Sequence, residues 1–346
     1  MALTKRGRIV VALVVLIGVL SLPLLGGYLY LRSIGLYGSS DPGERVDVTI
    51  AKGSSVNKIG QALEDAGVIE SAFGFRLATF IGEGSEKIQA GTYQIPSGLN
   101  ARDALTFLVE NPPEGPAVFE VTFREGAWLV DMAAVLERDV GISSEQFLDA
   151  ATSGEVGSTY RPKGIDTLEG LLFPSTYEIS EKDTAREVVE MLAGQFEQET
   201  NGIDLARRAG SVNLDPYEAI IVASMIEAET FLDDERPKVA RVIYNRLNEG
   251  MMLGIDATVL YALGEHKQTL SSSDLDVDSP YNTRKVTGLP PTPIGAPSVA
   301  SLEAALDPVE GDWLYYVLAD CDGNHAFSTN YDDFLVDKAA YQELEC

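Results

Sequence analysis

The segment from Asp215 to Thr230 constrains this chain more than any other. Asp215 is a residue type that caps helices, Pro216 suits a first helical position, and Glu218 completes a capping-box pair with Asp215. The helix then runs Ala219-Ile-Ile-Val-Ala-Ser-Met-Ile226 with no polar face. A helix apolar all round belongs inside a packed domain. It nevertheless ends in two carboxylates, Glu227 and Glu229. At about 3.6 residues per turn, positions two apart diverge, so the pair cannot act as one dyad. Burial disfavours the charged form and raises a carboxyl pKa. A carboxyl kept protonated near neutral pH is what a general acid for glycosidic cleavage requires. Taken alone, however, a buried Glu is more commonly structural, here paired with Arg236 or Arg241 of the next helix.

That next helix is expected over Glu235 to Glu249, capped by Asp233 and Asp234 and stopped by Gly250. Gly254-Ile-Asp-Ala-Thr-Val-Leu-Tyr261 mixes polar groups with a helical pattern. Ser279 to Thr283 and Gly288-Leu-Pro-Pro-Thr-Pro-Ile294 read as loops stiffened by proline. Rigid, aromatic-bearing loops beside a buried acid suit a sugar cleft. Asp320-Cys-Asp-Gly-Asn324 lacks the remaining positions of a calcium loop and reads as a turn.

Earlier in the chain a unit repeats. Val48-Thr-Ile-Ala-Lys-Gly53 precedes a helix with Val56, Ile59 and Leu63 inward; Val121-Thr-Phe-Arg-Glu-Gly126 precedes Leu129, Met132 and Leu136. Residues 90–95 form a further strand, and Asn100 introduces a helix over Ala101 to Val109. This half reads as one or two α+β modules of carbohydrate-binding, LysM-like type, or equally as a spacer.

The N-terminus sets the compartment. Ile9 to Leu31 carries no charge, long enough to span a bilayer, and Lys5, Arg6 and Arg8 precede it. An uncleaved single-pass anchor is preferred to a signal peptide, with everything after Arg32 outside the cytoplasm. Net charge is −27, from 26 basic and 53 acidic residues. Phosphate affinity rests on Lys and Arg, so nucleic acid is an unsuitable partner. Two cysteines and two histidines offer neither a disulfide framework nor a His- or Cys-rich metal site, and no cofactor is expected. The organisation read is a cytoplasmic tail 1–8, anchor 9–31, linker 32–45, LysM-like module 46–115, and a mainly helical catalytic domain 116–346 with proline-stiffened loops, opened by the second repeat unit.

Several segments together resemble the MltG/YceG-like family, the membrane-anchored endolytic murein transglycosylases. They are Leu168-Glu-Gly-Leu-Leu-Phe-Pro-Ser-Thr-Tyr177, Ala223-Ser-Met-Ile-Glu-Ala-Glu-Thr230, Val242-Ile-Tyr-Asn-Arg-Leu247, Asp256-Ala-Thr-Val-Leu-Tyr261, Tyr281-Asn-Thr283, Gly288-Leu-Pro-Pro-Thr-Pro-Ile294 and His325-Ala-Phe-Ser-Thr-Asn330. The resemblance implies cleavage of the bond between N-acetylmuramic acid and N-acetylglucosamine in nascent peptidoglycan, leaving 1,6-anhydro ends and helping to terminate strands. It puts the catalytic acid on Glu229, with Glu227 as second choice. Asp256, Tyr281, Asn282 and Asn330 are the candidates for positioning substrate. The chain departs from the family pattern at Ala228, where a Lys is usual, at Arg284 after Tyr-Asn-Thr, and at Thr292. Wall synthases at the inner membrane are the implied partners, besides the glycan strands. The competing readings are a peptidoglycan hydrolase using a second carboxylate such as Asp256, and a non-catalytic wall binder or divisome scaffold.

Overall fold

Val46, Val48 and Ile50 alternate with outward residues along the first strand, β1 (Arg45–Lys52), and carry its buried side. This computed structural model describes residues 25–82, 87–113 and 116–344. Most of the expected anchor, residues 9–24, and the tail 1–8 lie outside the described residues. Residues 25–33 are helical (α1). Among the described residues no helix is long and apolar enough to cross a membrane.

The chain divides into two units, residues 1–120 with 178–182, and residues 121–177 with 183–346. In the first, β1 is followed by α2 (Val56–Asp65), α3 (Ala72–Ile81), β2 (Gly91–Pro96), α4 (Ala101–Glu110) and the start of β3 (Val118–Thr122). Ser55 caps α2 and Asn100 caps α4 by accepting from backbone N–H groups, which fixes where each helix begins. β1 pairs antiparallel with β2, Val48 opposite Tyr93, and parallel with β3, Ala51 opposite Val118. Leu63, Phe75, Tyr93, Ile95 and Leu108 fill the core between sheet and helices.

Two expectations need correction here. Residues 32–45 are not a free linker. Leu36, which follows the Gly35 turn, is buried in the core, and the Ala101 N–H donates to the Gly35 carbonyl at 2.8 Å. Residues 116–120 and 178–182 also belong to the first unit rather than to the domain that follows. The Glu181 N–H donates to the Ala117 carbonyl at 2.9 Å, which ties the two stretches together.

The second unit is mostly helical: α5 (Leu129–Asp139), α6 (Ser144–Thr152), the start of β4 (Thr176–Ser180), α7 (Ala185–Gly202), α8 (Leu205–Ala209), α9 (Pro216–Glu229), α10 (Arg236–Asn248), α11 (Asp256–Leu263), α12 (Ser272–Leu275), α13 (Val299–Leu306), the hairpin β5 (Tyr315–Leu318) and β6 (His325–Ser328), and α14 (Tyr331–Gln342). α9 starts as its sequence requires, with Asp215 and Glu218 forming a reciprocal capping box and Pro216 at the first position. Nine of its residues are buried among α8, α10, α11 and α13. α10 differs from expectation at its start. Glu235 occupies the cap position without a capping side-chain bond, and Asp233 instead pairs with Arg236 at 3.2 Å. Asp320–Asn324 is the turn of the β5–β6 hairpin: Asp320 accepts from the Asp322 and Asn324 N–H groups, and Gly323 takes φ +91°.

Candidate active site

The last turn of α9 sends its two carboxylates in different directions. Glu227 is buried. It lies 3.3 Å from the Arg236 guanidinium, accepts from the Ser298 N–H at 2.9 Å, and also accepts from the Ser298 hydroxyl. Ser298 is the cap of α13, so Glu227 joins α9, α10 and α13. This is the structural pairing that a lone buried Glu commonly makes.

Glu229 faces a cleft of about 800 Å³. Its Oε2 accepts from the Tyr316 hydroxyl at 2.7 Å. Burial raises its pKa above the ordinary carboxylate value; the Tyr316 bond opposes this, Asp256 adds to it, and His325 and Arg284 oppose it. Tyr316 is itself raised well above a normal phenol, first by burial and then by the Glu229 charge, so it stays a donor.

The hairpin that carries Tyr316 is held by α10. The Asn245 amide donates to the Gly311 and Trp313 carbonyls at 3.0 and 2.9 Å. Arg246 donates to the Leu314 carbonyl at 2.6 Å and to the Leu253 carbonyl, and its guanidinium lies 5.3 Å from the Tyr315 ring. Burial pulls the Arg246 pKa down, although Tyr316, Tyr315 and Glu229 oppose that. His325 lines the same cleft and is fixed by Glu235, which contacts its Nδ1 at 2.7 Å and accepts from its N–H at 2.8 Å. Tyr315, Tyr331 and Phe334 form a wall with ring centroids 5.4–5.7 Å apart, and Phe231 adds an exposed ring. Gly323 packs opposite it at φ +91°, a backbone conformation that favours glycine. Aromatic faces and fixed polar groups of this kind suit a sugar chain.

Of the residues expected from the sequence, Glu229 and Asp256 line this cleft. Asp256 begins α11 and is bonded by Arg284 Nε at 2.6 Å, and the arginine, which departs from the family pattern, lines the cleft as well. Tyr281, Asn282 and Asn330 are not brought to it. Asn282 is fully buried, and its amide donates to the Leu275 and Val277 carbonyls, shaping the loop that carries Arg284. Tyr281 bonds the Thr292 hydroxyl at 2.8 Å, and Asn330 caps α14.

Other matching segments hold the frame. The Ile294 N–H donates to Ser224 Oγ at 3.1 Å, tying the proline loop to α9. Gly170, at φ +73°, leaves room for that loop, since a Cβ would lie 2.3 Å from Pro293. Glu169 is buried, accepts from the Leu129 N–H and from Tyr261, and is pushed by burial up to about 7. Among the described residues no group of three or more His, Cys, Asp or Glu is placed to hold a metal.

Sequence reasoning missed Tyr316, Arg246 and the aromatic wall. The run Leu314-Tyr-Tyr-Val-Leu318 is strand-like, but nothing in it says which ring meets Glu229.

A sequence profile of the YceG-like family matches residues 48–340. An endolytic murein transglycosylase of Bacillus subtilis is 33% identical over 317 residues, covering 88% of this chain and 86% of the relative. One from Streptococcus pneumoniae is 28% identical over 358 residues, covering 94% of this chain and 63% of that protein. A crystal structure of a YceG-like protein from Listeria monocytogenes is 28% identical with a TM-score of 0.59, covering 85% of this chain and 98% of the other. A match of this extent, carried through both units, means that the chain belongs to the YceG-like family.

Proposed function

We infer that the chain is an endolytic murein transglycosylase, a lyase cleaving the β-1,4 bond between N-acetylmuramic acid and N-acetylglucosamine. The observation that carries this reading is Glu229: a single carboxyl with a raised pKa, bonded by Tyr316, at the wall of an aromatic cleft. Tyr316 occupies Oε2, so the transferable proton sits on Oε1. Glu229 gives that proton to the glycosidic oxygen as the bond to the muramoyl C1 breaks. The carboxylate so formed removes the proton of the muramoyl C6 hydroxyl, whose oxygen attacks C1 and closes the 1,6-anhydro ring. Glu229 ends protonated and no water is consumed. One carboxyl serves both steps, so no second carboxylate at glycosidase spacing is needed. Asp256 and Arg284 position the strand at the mouth, and the Tyr315, Tyr331 and Phe334 rings stack on sugar faces.

The finer parts of the reading rest on the sequence. The uncharged run of residues 9–31 anchors the protein in the cell membrane with the second unit outside the cytoplasm. The β1-α2-α3-β2 order of the first unit supports a LysM-like module that meets glycan. Release of nascent strands would bring the enzyme to the wall synthases.

A second reading is a hydrolase, favoured by Asp256 in the same cleft. Mass analysis of peptidoglycan digested by the full chain separates the two. Anhydro ends, lighter by one water, are expected. Reducing ends would establish the hydrolase, and absence of products would favour a binder.

A further inference from the structure

Helix α3 carries no acidic residue, in a chain that has 53. Its inward residues Phe75 and Ala78 are buried in the first unit's core. Its outward positions Phe73, Arg76, Phe80 and Ile81 follow helical spacing along one side. Phe80 is 87% exposed, Ile81 54% and Phe73 46%. The Arg76 guanidinium lies 5.3 Å from the Phe73 ring. The outward stripe of a module helix is normally polar; this one is apolar with a single cation.

A second apolar surface lies in the same unit. In α1, Leu25, Tyr28, Leu29 and Tyr30 are all exposed. No spacer separates α1 from the module, because Leu31 and Ile34 pack against its core. A Cβ on Gly74 would lie 2.2 Å from the Ile34 carbonyl oxygen, so the first turn of α3 sits directly against the residue following α1. The chain before α1 is uncharged from residue 9 to residue 24.

We propose that the outward stripe of α3 is a lipid contact, bedding into the headgroup region of the bilayer that α1 enters. Aromatic and aliphatic side chains beside an arginine are the composition of an interfacial helix. A phosphate-bearing lipid surface complements Arg76, whereas the acid-rich remainder of a chain at net charge −27 is repelled by it. The contact would hold the module against the membrane at a fixed height. The inference rests on the anchored reading, and the test separates the two.

Full-length protein is reconstituted into phosphatidylcholine–phosphatidylglycerol vesicles with lipids brominated at shallow acyl positions. Phe80→Trp and Tyr28→Trp are compared with wild type, whose Trp128 and Trp313 give the background. Quenching of the indole in both variants, about twofold beyond background, is expected for an interfacial depth. Quenching in Tyr28→Trp with none in Phe80→Trp overturns the proposal and leaves the anchor. Quenching in neither overturns both. Emission of Phe80→Trp that shifts to the blue on adding soluble glycan strands, with no response to brominated lipid, assigns the stripe to glycan and also overturns the proposal.

Discussion

The Tyr316 hydroxyl donates to Glu229 Oε2 at 2.7 Å, joining the β5 strand of the hairpin to the last turn of the buried helix α9. The bond favours the ionised carboxylate, against burial. Tyr316→Phe therefore raises the Glu229 pKa further and loosens the carboxyl. The basic limb of the pH–rate profile moves to higher pH, and kcat falls about ten- to hundredfold. A pH profile on purified glycan strands reads both.

Glu229→Gln separates activity from stability. The folded-state pKa is raised, so the stability linked to this group is fully present below the unfolded value and is lost as pH rises through the folded one. The variant should melt roughly a few degrees higher than wild type at about pH 8, with the difference vanishing toward about pH 4. Its turnover falls about a thousandfold or more. Thermal melts across pH, run beside the activity assay, check the pairing of gain and loss.

Glu169 gives a second pH signature away from the cleft. Its carboxyl is pushed up to about 7 by burial, so wild-type stability declines from about pH 4.5 through about 7. A shift of that size corresponds to roughly 3 kcal/mol across the window. Glu169→Gln keeps an oxygen for the Leu129 N–H and removes most of that decline. Urea unfolding at about pH 5 and about pH 8 measures it.

Glu227 should behave as a structural group. Glu227→Ala leaves the buried Arg236 facing an empty partner site, at a cost of about 3 kcal/mol, because Asp233 and Ser301 still hold the guanidinium. Activity per folded molecule then falls far less than for Glu229→Gln. Denaturant midpoints and specific activity of the folded fraction test this together.

The helix α9 and its capping box were legible because its signals are local: one cap, one proline and a run that is apolar but for Ser224. The divergence of Glu227 and Glu229 followed from helical geometry. What each carboxylate meets did not, since Ser298 and Tyr316 lie 71 and 87 residues away. Asn282 looked available for substrate but turns inward to two backbone carbonyls, a choice that sequence spacing does not encode. The segment 32–45 reads as a linker from its Gly, Ser and Pro content, yet Leu36, with Ile34 and Tyr37 packed beside it, seats it in a core.

The most direct measurement is mass analysis of peptidoglycan digested by full-length wild type, Glu229→Gln and Glu227→Gln, each verified as folded. The account predicts anhydro ends from wild type and from Glu227→Gln, and none from Glu229→Gln. Anhydro ends from Glu229→Gln at wild-type rate, or their loss only in a folded Glu227→Gln, would contradict it.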